Sequence, residues 1–427
     1  MQLYQHQIDV LEKTKNQNKV AYYLDMGLGK TFIGSEKLKQ LSKNLNIIIC
    51  QKSKIKDWID HLQRYYDAEV YDLTKSGGMK CFLSYACMSK NGSSVIYGVI
   101  NYELSWRRKQ LLQLENFTLM LDESSLIQND SAKQSKFILQ LRPTNVILLS
   151  GTPTSGKYEK LWTQAHLLGW NISKRMYENQ YINYKLVDYG TGFKVRVVDK
   201  KNPYKNVERL KRKFAYHGAV FIKTEDVLDL PKQNFIVVKV EKTKEYLTFM
   251  KNDFLSAFDL EFIGSTSLTK RLYARQLVSQ YNKNKVQAVK DLISSTDDRL
   301  VIFYNFNDEL KLLKGICDMQ NRTVSEVNGQ CKDLYAYEHE NNSVTLVQYQ
   351  AGAMGINLQK ANKIIYFSLP ERSELFEQSK KRIHRIGQDK PCFYYVLIAA
   401  KSVDEMIYDT LLMRKDFTDE LFRKEVL

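Results

Sequence analysis

The alternation of apolar and polar runs predicts an α/β chain built on two parallel-sheet units. Three observations carry that expectation. Apolar runs of buried-strand type recur at residues 45–50, 95–100, 117–121 and 145–149, and again at 300–304, 344–348, 363–367 and 393–398. Helical patterns separate them, as the crossovers of a parallel sheet require. The first-half runs close on polar residues able to do chemistry, and ligand sites in open parallel sheets lie beyond the carboxyl ends of the strands. A chain of 427 residues exceeds one ordinary core, so two or three domains are expected.

Taken in order, Gln7 opens a short helical pattern ahead of a glycine-rich stretch. Its amide carries a donor and an acceptor and suits the edge of an adenine, although an exposed helix-start glutamine explains it equally well. Residues 24–31 then read as a phosphate-binding loop, Asp25-Met26-Gly27-Leu28-Gly29-Lys30-Thr31, with Leu24 where the general GxxxxGK(S/T) pattern has its first glycine. Lys30 is expected to reach terminal phosphates, and the Thr31 hydroxyl to ligate Mg²⁺. Gly27 and Gly29 bring backbone close to the anion, and a helix from about Thr31 aims its N–H groups at it. A plain glycine-rich turn before a helix is the alternative.

The run at 45–50 ends near Lys52, Ser53 and Lys54, which fit a nucleic-acid phosphate or a solvated turn. Asn101 and Tyr102 follow the run at 95–100. The run at 117–121 passes straight into Asp122 and Glu123. Two acids at a strand end suit nucleotide hydrolysis, the first in a Mg²⁺ shell and the second orienting water. Ser150-Gly151-Thr152-Pro153 closes the run at 145–149.

These residues resemble the helicase superfamily two ATPases, and within them the Swi/Snf-like double-stranded DNA translocases. Asp25–Thr31 matches that family's first motif, residues 48–53 with Trp58 its next element, residues 122–129 its acidic box and residues 150–153 its third motif. The resemblance runs from Gln7 to about Phe417. It departs at Ser125, where the family has His, at Gln128, where it has Lys, and at residues 369–373, which replace a tryptophan-containing stretch. The family's large helical insertions are short here, as in a minimal motor of bacterial or phage type.

In the second half, Asn305 ends one apolar run and Gln350 follows another. The turn from Gly352 to Leu358 resembles the fifth motif, whose Gly355 is assigned to the nucleotide. Arg382 and Arg385 lie three apart, which on a helix puts them on one side, where two guanidinium groups suit a transferring γ-phosphate. A basic helix face is the bland alternative, but the stretch matches the family's arginine-finger motif. Lys52, Ser53, Lys54, Asn101, Tyr102, Thr152, Asn305 and Gln350 are expected to meet nucleic acid.

The resemblance implies two RecA-like parallel-sheet lobes with a nucleotide cleft between them. Lobe one is expected over residues 1–230, with a basic insertion at about 172–230 and a small hairpin around Gly190-Thr191-Gly192. A helical connecting region is expected over 231–285, and lobe two over 286–427 with a C-terminal brace helix. The charge of +16, from 64 basic and 48 acidic residues, favours a polyanionic partner. No run approaches the ~18 apolar residues of a membrane span, and the N-terminus is not a signal peptide. The six scattered cysteines form no CxxC pair, so a reducing cytoplasm is expected without structural zinc. ATP and Mg²⁺ are the expected cofactors and duplex DNA the expected partner. Any nuclease, replication or recombination activity is expected from another chain. The leading function is a duplex-DNA translocase, against a strand-separating or branch-migrating helicase and a DNA-binding module with a vestigial ATPase.

Overall fold

The computed structural model describes residues 3–88, 95–154, 156–188, 192–352 and 356–422. The chain divides into two compact units, one running to Val227 and the other spanning Leu228–Lys415.

The first unit opens with α1 (Gln5–Lys13), β1 (Lys19–Leu24), α2 (Lys30–Leu41), β2 (Leu45–Cys50) and α3 (Ile55–Tyr66). It continues through β3 (Glu69–Asp72), β4 (Ile96–Asn101), β5 (Thr118–Asp122) and β6 (Asn145–Ser150). The hairpin strands β7 (Tyr184–Asp188) and β8 (Lys194–Val198) precede β9 (Ala219–Ile222). Seven strands form one sheet in the order β3-β4-β2-β5-β6-β1-β9, every pairing parallel. The central strands are largely apolar because helices cover both faces, although β2 also buries Asn46 and β5 buries Thr118. Ile47, Ile48 and Ile49 of β2 are fully buried, each contributing ~1.5–3 kcal/mol. That exceeds the net ~0.5–1.5 kcal/mol of a ladder hydrogen bond, so burial on both faces decides the strand. Helix α2 lies close over β5 and β6, where a Cβ on Gly34 would come within 2.9 Å of Met120 Sδ and Leu149 Cδ1.

The second unit begins with β10 (Gln233–Val240) and a hairpin of β11 (Phe254–Ala257) and β12 (Leu260–Ile263). Strands β13 (Leu300–Tyr304), β14 (Val324–Val327), β15 (Lys332–Asp333), β16 (Val344–Gln348), β17 (Lys363–Tyr366) and β18 (Cys392–Ala399) follow. Its sheet runs β10-β18-β17-β13-β16-β14-β15, parallel except for β14–β15. A buried ion pair ties it to the last helix: Lys285 Nζ lies 2.5 Å from Asp404 Oδ2.

Two sequence expectations differ from this architecture. Residues 231–285 do not form a helical connector alone, because β10 is an eight-residue strand of the second sheet. As an edge strand it leaves Phe235, Ile236 and Val237 partly exposed, so it lacks a buried-strand pattern. Residues 172–230 are likewise more than an insertion, since β9 pairs with β1 at the edge of the first sheet. The expected hairpin corresponds to antiparallel β7 and β8, although Gly190 and Thr191 lie outside the described residues.

Candidate functional site

In the first sheet β5, β6 and β1 are parallel neighbours, with Tyr23 opposite Ser150 and Asp122 opposite Leu149. Sheet order alone therefore brings the glycine-rich loop, the two acids and Ser150 to one edge. In the loop Gly27 and Gly29 have φ of 88° and 72°, the left-handed region that glycine enters without a Cβ penalty. A Cβ on Gly29 would also stand 2.2 Å from Gln7 Nε2. Gly29 caps α2, so the helix N–H groups and positive dipole end begin at Lys30 and Thr31. Lys30 Nζ donates to the carbonyls of Leu24 (2.8 Å) and Asp25 (3.2 Å).

Helix α1 underlies this loop. Gln7 is buried, its Nε2 donates to the Leu28 carbonyl at 3.3 Å, and its Oε1 accepts from the Tyr4 N–H at 2.9 Å. Both ends of the amide therefore meet backbone and support the loop. His6 adds Nε2 to the same Leu28 carbonyl at 3.1 Å. Asp25 also meets protein groups. Its Oδ2 accepts from both the N–H and the hydroxyl of Thr224, each at 3.1 Å, which ties the loop to the chain beyond β9. Thr224 carried no sequence signal, because its role depends on β9 lying beside β1.

At the end of β5 the Asp122 carboxylate accepts from the Trp58 indole N–H of α3 at 2.8 Å. Burial pushes the Asp122 carboxyl above its ordinary pKa, while the Trp58 hydrogen bond and the Lys30 and Lys54 charges pull it back. Trp58 was visible only as part of a motif; the structure supplies its work. Glu123 sits at φ 55°, ψ 60°, a left-handed conformation that costs a non-glycine residue ~1–3 kcal/mol. Neighbouring bonds hold it there. Ser150 Oγ donates to Glu123 Oε2 at 3.3 Å, and the Tyr102 hydroxyl donates to the carbonyl of Asp122 at 2.9 Å.

That last contact is made by a Tyr102 side chain that is fully buried. Asn101 is buried as well, with Nδ2 donating to Glu103 at 2.6 Å. Thr152 is 7% exposed, and its N–H donates to Ser150 Oγ at 3.2 Å. All three are buried at or just beyond strand ends, and the Tyr102 and Asn101 side chains bond to neighbouring protein groups. Lys52 and Ser53 are exposed. Lys54 is 26% exposed and pairs with Asp57 at 2.7 Å.

In the second unit β17, β13 and β16 are neighbours, so their carboxyl ends also share an edge. Asn305 and Gln350 line one cavity of about 200 Å³ there, together with Arg275, Gln348 and Arg372. Asn305 Nδ2 donates to Ser368 Oγ (2.8 Å) and the Leu369 carbonyl (3.1 Å), and buried Glu309 accepts from the Asn305 N–H at 2.7 Å. Gln350 is exposed. Gly355 lies outside the described residues.

The shared helical face expected for Arg382 and Arg385 is not formed. The helix ends at Lys380, and both arginines lie in the turns beyond it. The chain is held there by Gln388, whose Nε2 donates to the carbonyls of Gln359, Ala361 and Ile383 at 2.9–3.1 Å. Arg382 is buried at 6% exposure, while burial pulls the half-buried Arg385 guanidinium below its ordinary pKa.

Residues 10–292 match the family described as SNF2-related domain, and residues 284–387 match the helicase conserved C-terminal domain. The chain is similar to the SWI/SNF-related matrix-associated actin-dependent regulator of chromatin subfamily A member 1 of Mus musculus. The two are 23% identical over 426 residues, covering 90% of this chain and 40% of that protein. Its likeness to the uncharacterized ATP-dependent helicase YqhH of Bacillus subtilis is 22% over 461 residues, covering 95% of this chain and 77% of that protein. The chain thus spans about two-fifths of the chromatin-regulator relative. Among solved structures, the Sulfolobus solfataricus SWI2/SNF2 ATPase core in complex with dsDNA aligns with 98% of this chain and 92% of that chain. Its identity is 21% and its TM-score 0.45.

Proposed function

Because the chain belongs to the SNF2-related domain family, we propose that it is a nucleic-acid-dependent ATPase that couples hydrolysis to movement on, or remodelling of, double-stranded DNA. The observation that carries this reading is the edge formed by β5, β6 and β1, where Lys30, Thr31, Asp122 and Glu123 converge.

Each residue there has a role that its surroundings support. Gly27, Gly29 and the first N–H groups of α2 cradle phosphate oxygens. Lys30 exchanges its two carbonyl partners for the β- and γ-phosphates. Glu123, kept in its turn by Ser150 and Tyr102, orients the attacking water. The donor set fits magnesium: Thr31 and Asp122 supply hard oxygens, and Mg²⁺ characteristically takes one or two protein ligands plus phosphates and waters. Bound there, the ion would neutralise charge that develops on the phosphates. Arg385 supplies compensating positive charge to the transferring group, and Arg382, being buried, holds the turn that presents it.

Duplex DNA is supported as partner by the +16 charge and by the chromatin context in the relative's name. Asn305 and Gln350 are the second-unit residues assigned to the strand backbone, and Lys52 and Ser53 those of the first. A protein partner supplies target choice, and the site of action is cytoplasmic.

The test is ATP hydrolysis without nucleic acid and with single-stranded DNA, plain duplex, forked DNA and RNA, each at two salt concentrations. Strong stimulation by plain duplex, weakening at higher salt, is expected. Stimulation by forks or single strands alone would replace translocation with strand separation. No stimulation by any of them would overturn the coupled-ATPase reading.

A further inference from the structure

Ser150 Oγ joins the third motif directly to the Glu123 carboxylate, and a buried amide adds a second link between the two segments. We propose that Gln164, seconded by Gln128, is a positioning residue that makes this link and so carries the nucleic-acid signal to the hydrolytic water. The inference deepens the coupled-ATPase reading and rests on it.

Gln164 lies in the short helix Trp162–Leu167 and is fully buried. Its side-chain amide reaches three elements at once. Oε1 accepts from the Tyr23 hydroxyl at 2.9 Å, in the strand that leads into the phosphate loop. The same oxygen accepts from Ser124 Oγ at 2.8 Å, on the residue directly after Glu123. Nε2 donates to the Pro153 carbonyl in the third motif at 2.8 Å. Gln128, from the acidic box itself, donates its Nε2 to that same carbonyl at 3.2 Å.

Only an amide meets this set, because it must accept twice and donate once within one planar group. A carboxylate keeps the acceptor and loses the donor. An aliphatic side chain leaves two buried hydroxyls and a carbonyl without this partner. A satisfied buried network of this kind admits few arrangements, so displacement of Pro153 is felt at Ser124. From there it reaches Glu123, whose left-handed backbone and 3.3 Å bond to Ser150 define where its carboxylate points. The third motif can therefore shift the water-orienting acid through Gln164 without touching the nucleotide.

A core glutamine that only stabilises the fold would behave differently. It would lower stimulated and unstimulated turnover in proportion, through loss of folded protein. A positioning residue changes their ratio.

The experiment compares wild type, Gln164→Glu and Gln128→Ala. Each is measured for kcat and KM of ATP hydrolysis with and without duplex DNA, for duplex affinity, and for folding by circular dichroism. Gln164→Glu should lower the stimulated-to-basal kcat ratio about tenfold, the scale of one buried hydrogen bond. ATP KM and duplex affinity should stay within about twofold of wild type, inside the scatter of a residue that touches neither ligand. Gln128→Ala, at a half-buried position where folding is not at stake, should lower the ratio less but in the same direction. An unchanged ratio in both variants overturns the inference while leaving the coupled ATPase standing. A proportional fall in both rates does the same. Absence of stimulation in the wild type overturns the coupled-ATPase reading and this inference together.

Discussion

Replacing Trp58 by Phe tests how the Asp122 carboxylate is kept ready for a cation. Trp58 is 2% exposed, and its indole N–H donates to Asp122 Oδ2 at 2.8 Å. Burial raises the Asp122 pKa, and this hydrogen bond is the leading influence that lowers it again, ahead of the Lys30 charge. A hydrogen bond to a charged group is worth ~1.5–3 kcal/mol. Its loss should therefore raise the Asp122 pKa further. Only the ionised carboxylate can serve in the cation shell, so the acid limb of the kcat/KM–pH profile should move upward. The high-pH plateau should be largely retained. A limb left at its wild-type position, with the whole profile merely scaled down, would refute the reasoning and reduce Trp58 to packing. Stability follows the same linkage. With its folded-state pKa raised, Asp122 contributes stability that is fully present below its unfolded pKa and is lost as pH rises through the folded value. Urea denaturation should therefore show Trp58→Phe losing more stability than wild type between acid and neutral pH, on top of a pH-independent packing loss.

Three further outcomes are expected. Gly29→Ala places a Cβ 2.2 Å from Gln7 Nε2 at a φ of 72°, and the ~1–2 kcal/mol of left-handed strain alone should weaken nucleotide binding about tenfold in a fluorescent-ATP titration. Arg385→Ala should lower kcat by about 10³-fold or more, as loss of an arginine finger does, while the same titration shows ATP affinity nearly unchanged; normal turnover would remove Arg385 from the chemistry. Lys285→Ala strips the partner from Asp404, which is 4% exposed, and should destabilise the second unit by ~3–5 kcal/mol in urea denaturation.

What could be read in the sequence divides along a physical line. Strands buried on both faces, such as β2 with Ile47, Ile48 and Ile49, announce themselves because most of their residues are apolar. Edge strands do not. β10 pairs only with β18, keeps Phe235, Ile236 and Val237 partly exposed, and so resembles a connector. The candidate reacting groups were legible for a similar reason. Lys30 beside glycines, and Asp122 beside Glu123, are short-range patterns that phosphate chemistry requires. Their supports are not short-range: Trp58 lies 64 residues from Asp122, Thr224 lies 199 from Asp25, and Gln164 lies 40 from Ser124. The strand order β2-β5-β6-β1-β9, with the helices that follow β2 and β6, brings them together.

The buried strand-end residues follow from the same limit. Position at a strand's carboxyl end locates a residue near the site without saying which way its side chain faces. Tyr102 and Asn101 occupy such positions, yet turn inward. For Tyr102 the inward choice has a cause: the carbonyl of Asp122, displaced by the left-handed turn at Glu123, would otherwise lack this buried donor, and its hydroxyl supplies it at 2.9 Å. The strain at Glu123 thus accounts for the burial of a residue that the motif alone assigns to DNA. Strand ends in this chain therefore hold two populations, groups that meet ligands and groups that hold those groups in place, and the second is recognised by following the backbone atoms that a strained turn leaves in need of a partner.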